Sequence, residues 1–250
     1  MKNKYFKAGI LLFLIAAIIG GFLIVKSFYT QEAVSNQEKA DLPSPIAAVP
    51  KVEASKQAES TPIPEEINWE VPFTSQAPKA NWDAVHEEAC EEAAILMAQK
   101  YFDKQQFSST IDADEQILKI IDWENTNLGF FQSTTVEQTA EVTRRYLGLQ
   151  AEVINTPSVD EIKTIIASGK LVIVPAAGQE LSNPFYKAPG PIYHMLLIKG
   201  YTVDQFITND PGTRRGANYP YKFDTIINAN HDWNGGDVVN GARKIIVVWK

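Results

Sequence analysis

Cysteine is almost missing from this chain. Among 250 residues a single one, Cys90, carries a thiol, which excludes an intrachain disulfide and any zinc site built from several cysteines. Basic residues are outnumbered too: 23 Lys and Arg stand against 30 Asp and Glu, for a net charge of −7. Neutralising phosphates needs a basic face, so nucleic acid is not expected as a partner. Histidine is scarce, with three, and no glycine-rich phosphate loop precedes a helical pattern. His86-Glu87-Glu88 is not the two-histidine zinc motif, because Cys90 stands where the second histidine is needed. Neither a metal nor an organic cofactor is expected. The chain is nonetheless 45% hydrophobic and 10% aromatic, enough for a globular core and too much for a wholly disordered protein.

These residues are unevenly spread. Residues 1–30 hold Lys2, Lys4, Lys7 and Lys26, no acid, and an apolar run from Ala8 to Val25. As a helix that run spans about 27 Å, close to the hydrocarbon thickness of a bilayer. No small-residue cleavage site follows it, so it reads as an uncleaved signal anchor, with a cleaved secretory signal as the alternative. More lysines before the run than after it place the N-terminus in the cytoplasm and the rest outside. Residues 31–66 hold Pro43, Pro45, Pro50, Pro62 and Pro64 and no aromatic residue. Such a composition buries too little surface to offset chain entropy and reads as a disordered linker of upper reach on the order of 110 Å. The head, 67–250, is one compact domain. The expected organisation is a single-pass cell-membrane protein with its head outside the cytoplasm.

Within the head, helical signals come first. Cys90, Ala94, Met97 and Tyr101 share one face of a helix over about 87–102. Ile117, Ile120 and Ile121 mark a second helix, starting after Asp112 or Asp114. Thr135 with Gln138 resembles a capping box for a third, and Ser158 with Glu161 repeats the signal for a fourth that ends at Gly169. Strand signals follow: 171–174, a hairpin of 195–198 with 205–208, and 244–249. Helices first and sheet later give an α+β fold, with helices of the first half packed on a mainly antiparallel sheet of the second.

Cys90 stands near the start of the first helix, whose positive end favours a thiolate. Glu87, Glu88, Glu91 and Glu92 surround it and oppose one, so a nucleophilic Cys90 needs an imidazole partner. His86 falls in the loop before the helix, and His231 lies in a polar turn. His194 opens an apolar strand, where a polar ring is costly without a partner. If the hairpin turns on Thr202, Lys199 faces Gln205 and His194 faces Asp210, within reach of a ring N–H to carboxylate bond. A one-residue slip would offer Asn209 instead. Gln76 lies in a loop fourteen residues before Cys90, where its amide could help stabilise an oxyanion.

Three stretches carry a family resemblance: Val71-Pro72-Phe73-Thr74-Ser75-Gln76, Asn81-Trp82-Asp83, and Glu87-Glu88-Ala89-Cys90-Glu91-Glu92-Ala93. With His194 at its strand and Asn209-Asp210-Pro211-Gly212 after it, the head resembles the C39-like cysteine peptidase family. The resemblance implies a papain-like fold and cleavage of peptide or protein substrates without a cofactor. It implies Cys90 as nucleophile, His194 as general base, Asp210 as orienting acid and Gln76 as oxyanion-hole donor. Many members carry glycine after the nucleophile; Glu91 in its place sets a carboxylate beside the expected position of the scissile bond. The rival expectation is an inactive papain-like module that binds peptides or cell-wall stems. Substrate identity, endo- against exo-cleavage and oligomeric state are not readable from the residues.

Overall fold

The computed structural model describes residues 32–34, 36, 39–47 and 63–250. The signal anchor expected over residues 1–30 lies outside the described residues. Among those described, no helix is long and apolar enough to cross a membrane. The chain divides into two compact units, residues 1–42 and 43–250. In the first, Glu32–Val34, Asn36, Lys39 and Ala40 are helical. In the second, residues 43–47 of the proline-rich stretch lie against the head. Ile46 N–H donates to the Asn68 carbonyl at 2.7 Å, and Glu70 N–H to the Ile46 carbonyl at 2.7 Å. The compact unit therefore begins at Pro43, ahead of Ile67.

The second unit is α+β. Its sheet comprises β1 (Ile67–Asn68), β2 (Gln150–Asn155), β3 (Leu171–Ala177), β4 (Tyr193–Tyr201), β5 (Gln205–Asn209), β6 (Tyr219–Lys222) and β7 (Lys244–Trp249). The strands run in the order β2-β7-β3-β4-β5-β6, with β1 joined to the end of β4, and every pair is antiparallel. The central strands β3 and β4 are buried throughout, so their alternate residues line both faces. Neither β2 nor β6 shows in the sequence pattern. β2 is an edge strand that alternates weakly between exposed and half-buried residues, and β6 contains Pro220 at the other edge.

The helices start where their caps put them. Helix α1 is Cys90–Phe102. Helix α2, Thr110–Asn127, starts earlier than its apolar spacing suggests, because Ser109 accepts the Asp112 N–H and caps it. Helix α3, Val136–Arg145, carries the full capping box of Thr135 and Gln138. Helix α4, Val159–Ala167, is capped by Ser158 on the Glu161 N–H and is followed by Gly169 at φ +84°. A short α5, Phe223–Ala229, has no counterpart in the sequence reading. α1 is the central helix and is not one-faced: residues Ala93–Ala98 are each at most 1% exposed, packed against β4 on one side and α2 on another.

The hairpin register differs from the expected one. Leu197 faces Asn209 and Ile198 faces Thr208, and a bulge at Lys199 shifts the pairing to Gly200 with Ile207. Lys199 is buried, and its Nζ donates to Asn68 Oδ1 and the Trp69 carbonyl, each at 2.5 Å. Burial lowers its pKa to about 7. Continued one residue past β5, this register sets Asp210 opposite Leu196. His194 is then its diagonal neighbour on the same face, not its directly opposed one.

Candidate active site

Cys90 is the first residue of α1, behind a 3-10 turn at His86–Glu88. The residue is buried, with 5% of its surface exposed. Met195 N–H donates to Sγ at 3.4 Å, so the strand that carries His194 also touches the nucleophile through the next residue. The thiol hydrogen goes elsewhere: Sγ lies 2.9 Å from Glu91 Oε2. The Glu91 side chain turns inward, 1% exposed, and its Oε1 accepts the Thr134 N–H at 3.1 Å. The Glu91 carboxylate therefore lies against the thiol itself. As the second residue of a helix packed on all sides, position 91 faces the interior.

His194 Nε2–H donates to Asp210 Oδ1 at 2.8 Å, with the side chains 1% and 0% exposed. That bond fixes the proton on Nε2 and leaves Nδ1, which bonds to no described residue, open for chemistry. Asp210 is held from all sides. Its Oδ1 also accepts the Gly212 N–H at 2.9 Å; its Oδ2 accepts Tyr221 OH at 2.6 Å, Tyr186 OH at 2.7 Å and Asn183 Nδ2–H at 3.0 Å. Burial alone would raise its pKa. The facing His194 and the hydrogen bonds from His194, Tyr221 and Tyr186 outweigh burial and hold it below the ordinary carboxylate range. Tyr186 also meets the His194 ring edge-on, with centroids 5.4 Å apart. A Cβ at Gly212 would lie 2.8 Å from Tyr186 Cε1 and 2.9 Å from His194 Cε1, so a larger residue there would push both rings.

Gln76 sits against the turn before the nucleophile. Its Nε2 donates to the His86 and Glu87 carbonyls at 2.8 and 3.0 Å, and its own N–H to the Pro211 carbonyl at 2.9 Å. Both amide hydrogens thus hold the turn, and Oε1 is buried with no partner among the described residues. His86 is excluded as a base, since Nδ1 lies 2.7 Å from Asp83 and Nε2 2.9 Å from Asp114. Asn209, the alternative orienter, donates to the Val71 and Pro72 carbonyls at 3.2 and 3.3 Å. His231 bonds the Gly241 carbonyl at 2.8 Å through Nδ1. Among the described residues no cluster of three or more ligands could hold a metal. Asn183, Tyr186 and Tyr221 escaped the sequence reading, because nothing in their spacing relates them to Asp210.

Electrostatics around the thiol are unfavourable to its ionisation. Burial pushes the Cys90 pKa up, and the charge and hydrogen bond of Glu91 add to it, opposed by the Met195 N–H. Behind this lies a second pair of acids, Glu92 on α1 and Glu124 on α2, both 0% exposed. As carboxylates neither has a donor among the described residues, and each is the other's hydrogen-bond neighbour once one is protonated. Burial raises Glu124 to about 7. A raised carboxyl pKa destabilises the fold as pH climbs above the ordinary value of 4.5 and reaches its full cost above about 7. Glu124→Gln is therefore expected to stabilise the protein by roughly 3 kcal/mol at pH ~8 and by almost nothing at pH ~4. Urea unfolding at both pH values measures this, and an equal effect at both would contradict a shared proton.

No curated protein matches the chain. Among solved structures, a crystal structure of a proposed C39-like peptidase from Bacillus anthracis is similar, at 16% identity and a TM-score of 0.48. It covers 75% of this chain and 98% of that one. The profile of the Peptidase_C39 like family matches residues 69–235, a span that includes Cys90, His194 and Asp210. With more than half of its length inside that match, the chain belongs to the Peptidase_C39 like family.

Proposed function

We propose that the chain is a cysteine peptidase that hydrolyses peptide bonds through Cys90, His194 and Asp210. Family membership supports peptidase chemistry, and one observation carries the assignment of residues. The Cys90 sulfur rests on the backbone N–H of Met195, the residue after a histidine whose Nε2 is held by a buried carboxylate. In this reading the thiolate attacks the carbonyl carbon of the scissile bond. The oxyanion is met by the Cys90 N–H at the head of α1, one of the donors that a helix leaves unpaired. Gln76 supplies the second donor, by giving up the longer of its two bonds, that to the Glu87 carbonyl. His194 Nδ1 takes the thiol proton as the thiolate forms and gives it to the departing nitrogen, and the neutral ring then draws a proton from the water that releases the acyl group.

The place of action is proposed from the sequence. Three lysines before the Ala8–Val25 run and one after it support a membrane anchor with the head outside the cytoplasm. The partners are then a peptide or protein substrate and, through that segment, the membrane.

Acyl trapping tests the chemistry. An activated peptide ester is expected to leave its acyl group on Cys90, found by mass spectrometry, and to be released at least 100-fold more slowly by His194→Ala, on the order of one acid–base contribution. Acylation of some other residue, or release that His194→Ala does not slow, would sink the assignment. The Glu91 carboxylate against the thiol favours a second reading, a module that binds peptides without cutting. That reading predicts binding with no acylation at all.

A further inference from the structure

His86 takes no part in the reaction above, yet its buried ring is held at both nitrogens. Nδ1 lies 2.7 Å from Asp83 Oδ1 in the loop before it, and Nε2 lies 2.9 Å from Asp114 Oδ1 on α2. A ring nitrogen donates to a carboxylate oxygen only when it carries hydrogen, so this arrangement needs hydrogen on both. Asn81 Nδ2, 3.2 Å from Nδ1, is then no donor to the ring and bonds Asp83 Oδ2 at 3.3 Å. Asp83 Oδ1 also accepts the His86 and Val85 N–H at 3.0 and 3.1 Å. The bond from the His86 N–H, and after it the bond from the ring, hold the Asp83 pKa down to about 2. Asp114 is balanced on its other oxygen by Lys79 Nζ at 2.7 Å. The ring thus ties the loop ahead of the nucleophile to α2.

The carbonyl of the same residue serves Gln76. It accepts Nε2–H at 2.8 Å, the shorter of the two bonds that amide makes. Gln76 Oε1 is buried with no partner among the described residues. When the Glu87 carbonyl is released so that Gln76 can meet the oxyanion, the His86 carbonyl is the hydrogen bond that still aims the side chain. Aim matters here. An oxyanion donor acts only within hydrogen-bond distance of the charge that develops, and a displacement of about 1 Å costs on the order of 100-fold in rate.

We propose that His86 is a positioning residue for the oxyanion hole: its ring, pinned between Asp83 and Asp114, fixes the carbonyl that aims Gln76. The inference deepens the peptidase reading and rests on it for the role of Gln76. His86 itself touches no reacting atom. Because it acts through Gln76, its loss is felt in the transition state and not in the binding of the substrate. A histidine that only held the fold together would show no such dependence on Gln76.

A double-mutant cycle with Gln76 tests this, with kcat and KM read on a peptide substrate. His86→Gln has one amide nitrogen where the ring has two nitrogens on opposite sides, so it cannot hold both carboxylates in the same way. It is expected to lower kcat about 10- to 100-fold and to leave KM within about twofold. In a Gln76→Ala background, where kcat is already low, the same change is expected to cost less than about twofold more. A peptide aldehyde forms an adduct with Cys90 that carries an oxyanion, and its binding should weaken by the same factor as kcat. Equal losses of kcat in both backgrounds would overturn the proposal, and so would a wild-type kcat in His86→Gln. Should that variant fold poorly, Asp114→Asn leaves the ring and Asp83 in place and neutralises one of its two holds. It is expected to lower kcat about 3- to 10-fold, again only while Gln76 is present, and the same two outcomes overturn the proposal. A wild type that neither cleaves the peptide nor is acylated at Cys90 removes the peptidase reading and this inference together. Turnover with additive losses removes this inference alone.

Discussion

Cys90→Ala is expected to remove peptide hydrolysis almost completely, by roughly 10⁶-fold when nucleophile and acid–base partner act as a unit, while the fold persists. The structural loss is small. Position 90 begins α1, where alanine is a better helix former than cysteine, and a single sulfur atom leaves a site that is already 5% exposed. Glu91 loses one donor and keeps Thr134 N–H; Met195 N–H loses its acceptor. Together these cost about 1 kcal/mol, so the melting temperature should move by only a few degrees. Turnover and thermal unfolding measured on the same preparation check this. Hydrolysis at the wild-type rate would place the nucleophile elsewhere and end the assignment.

Asp210→Ala should damage both activity and stability, because five groups converge on one carboxylate. His194 and Gly212 donate to Oδ1; Asn183, Tyr186 and Tyr221 donate to Oδ2. Alanine takes the acceptor away from all five, of which Asn183 keeps Tyr221 OH as a second acceptor, and a loss of about 3–5 kcal/mol is expected. It also frees the His194 ring to turn and to take the wrong tautomer, with a fall in turnover on the order of 10³–10⁴-fold. Asp210→Asn separates the two effects. Its amide oxygen can still accept and the tyrosine hydroxyls can turn to accept from its nitrogen, so stability should largely return. Activity should not, because the negative charge facing His194 is gone. The linkage sign follows from the lowered pKa. The stability due to Asp210 is complete above the ordinary carboxylate pKa of about 4 and is lost as pH falls through the lower folded value. Acid unfolding should therefore come at lower pH-sensitivity in Asp210→Asn than in the wild type. An alanine variant with wild-type turnover would show that Asp210 does not orient the base.

Local signals were read with most success where the chemistry is local. The Thr135–Gln138 capping box and the Ser158 cap are made by residues three apart, and both stand in the structure as the spacing predicts. β2 and β6 were not legible, since each lies at a sheet edge and relies on one neighbour rather than on its own pattern. The pairing of His194 with Asp210 was anticipated through a register that the structure does not have. A bulge at Lys199 displaces it, and nothing in the run Ile198-Lys199-Gly200 marks an extra residue there. The contact survives because Asp210 lies just beyond β5 and reaches His194 along the diagonal.

Membership of a peptidase family, the α+β order of the elements and the identity of the residues to inspect were all decided by the sequence, because motif and helix-cap chemistry involve neighbours in the chain. Tertiary structure decided what those residues do to one another. It set Glu91 rather than His194 on the thiol proton, spent both amide hydrogens of Gln76 on the turn before the nucleophile, and gathered Asn183, Tyr186 and Tyr221 around Asp210. Each of these joins segments brought together only by packing. Their energetic weight comes from exclusion of water, a property of the folded interior that no spacing of residues records.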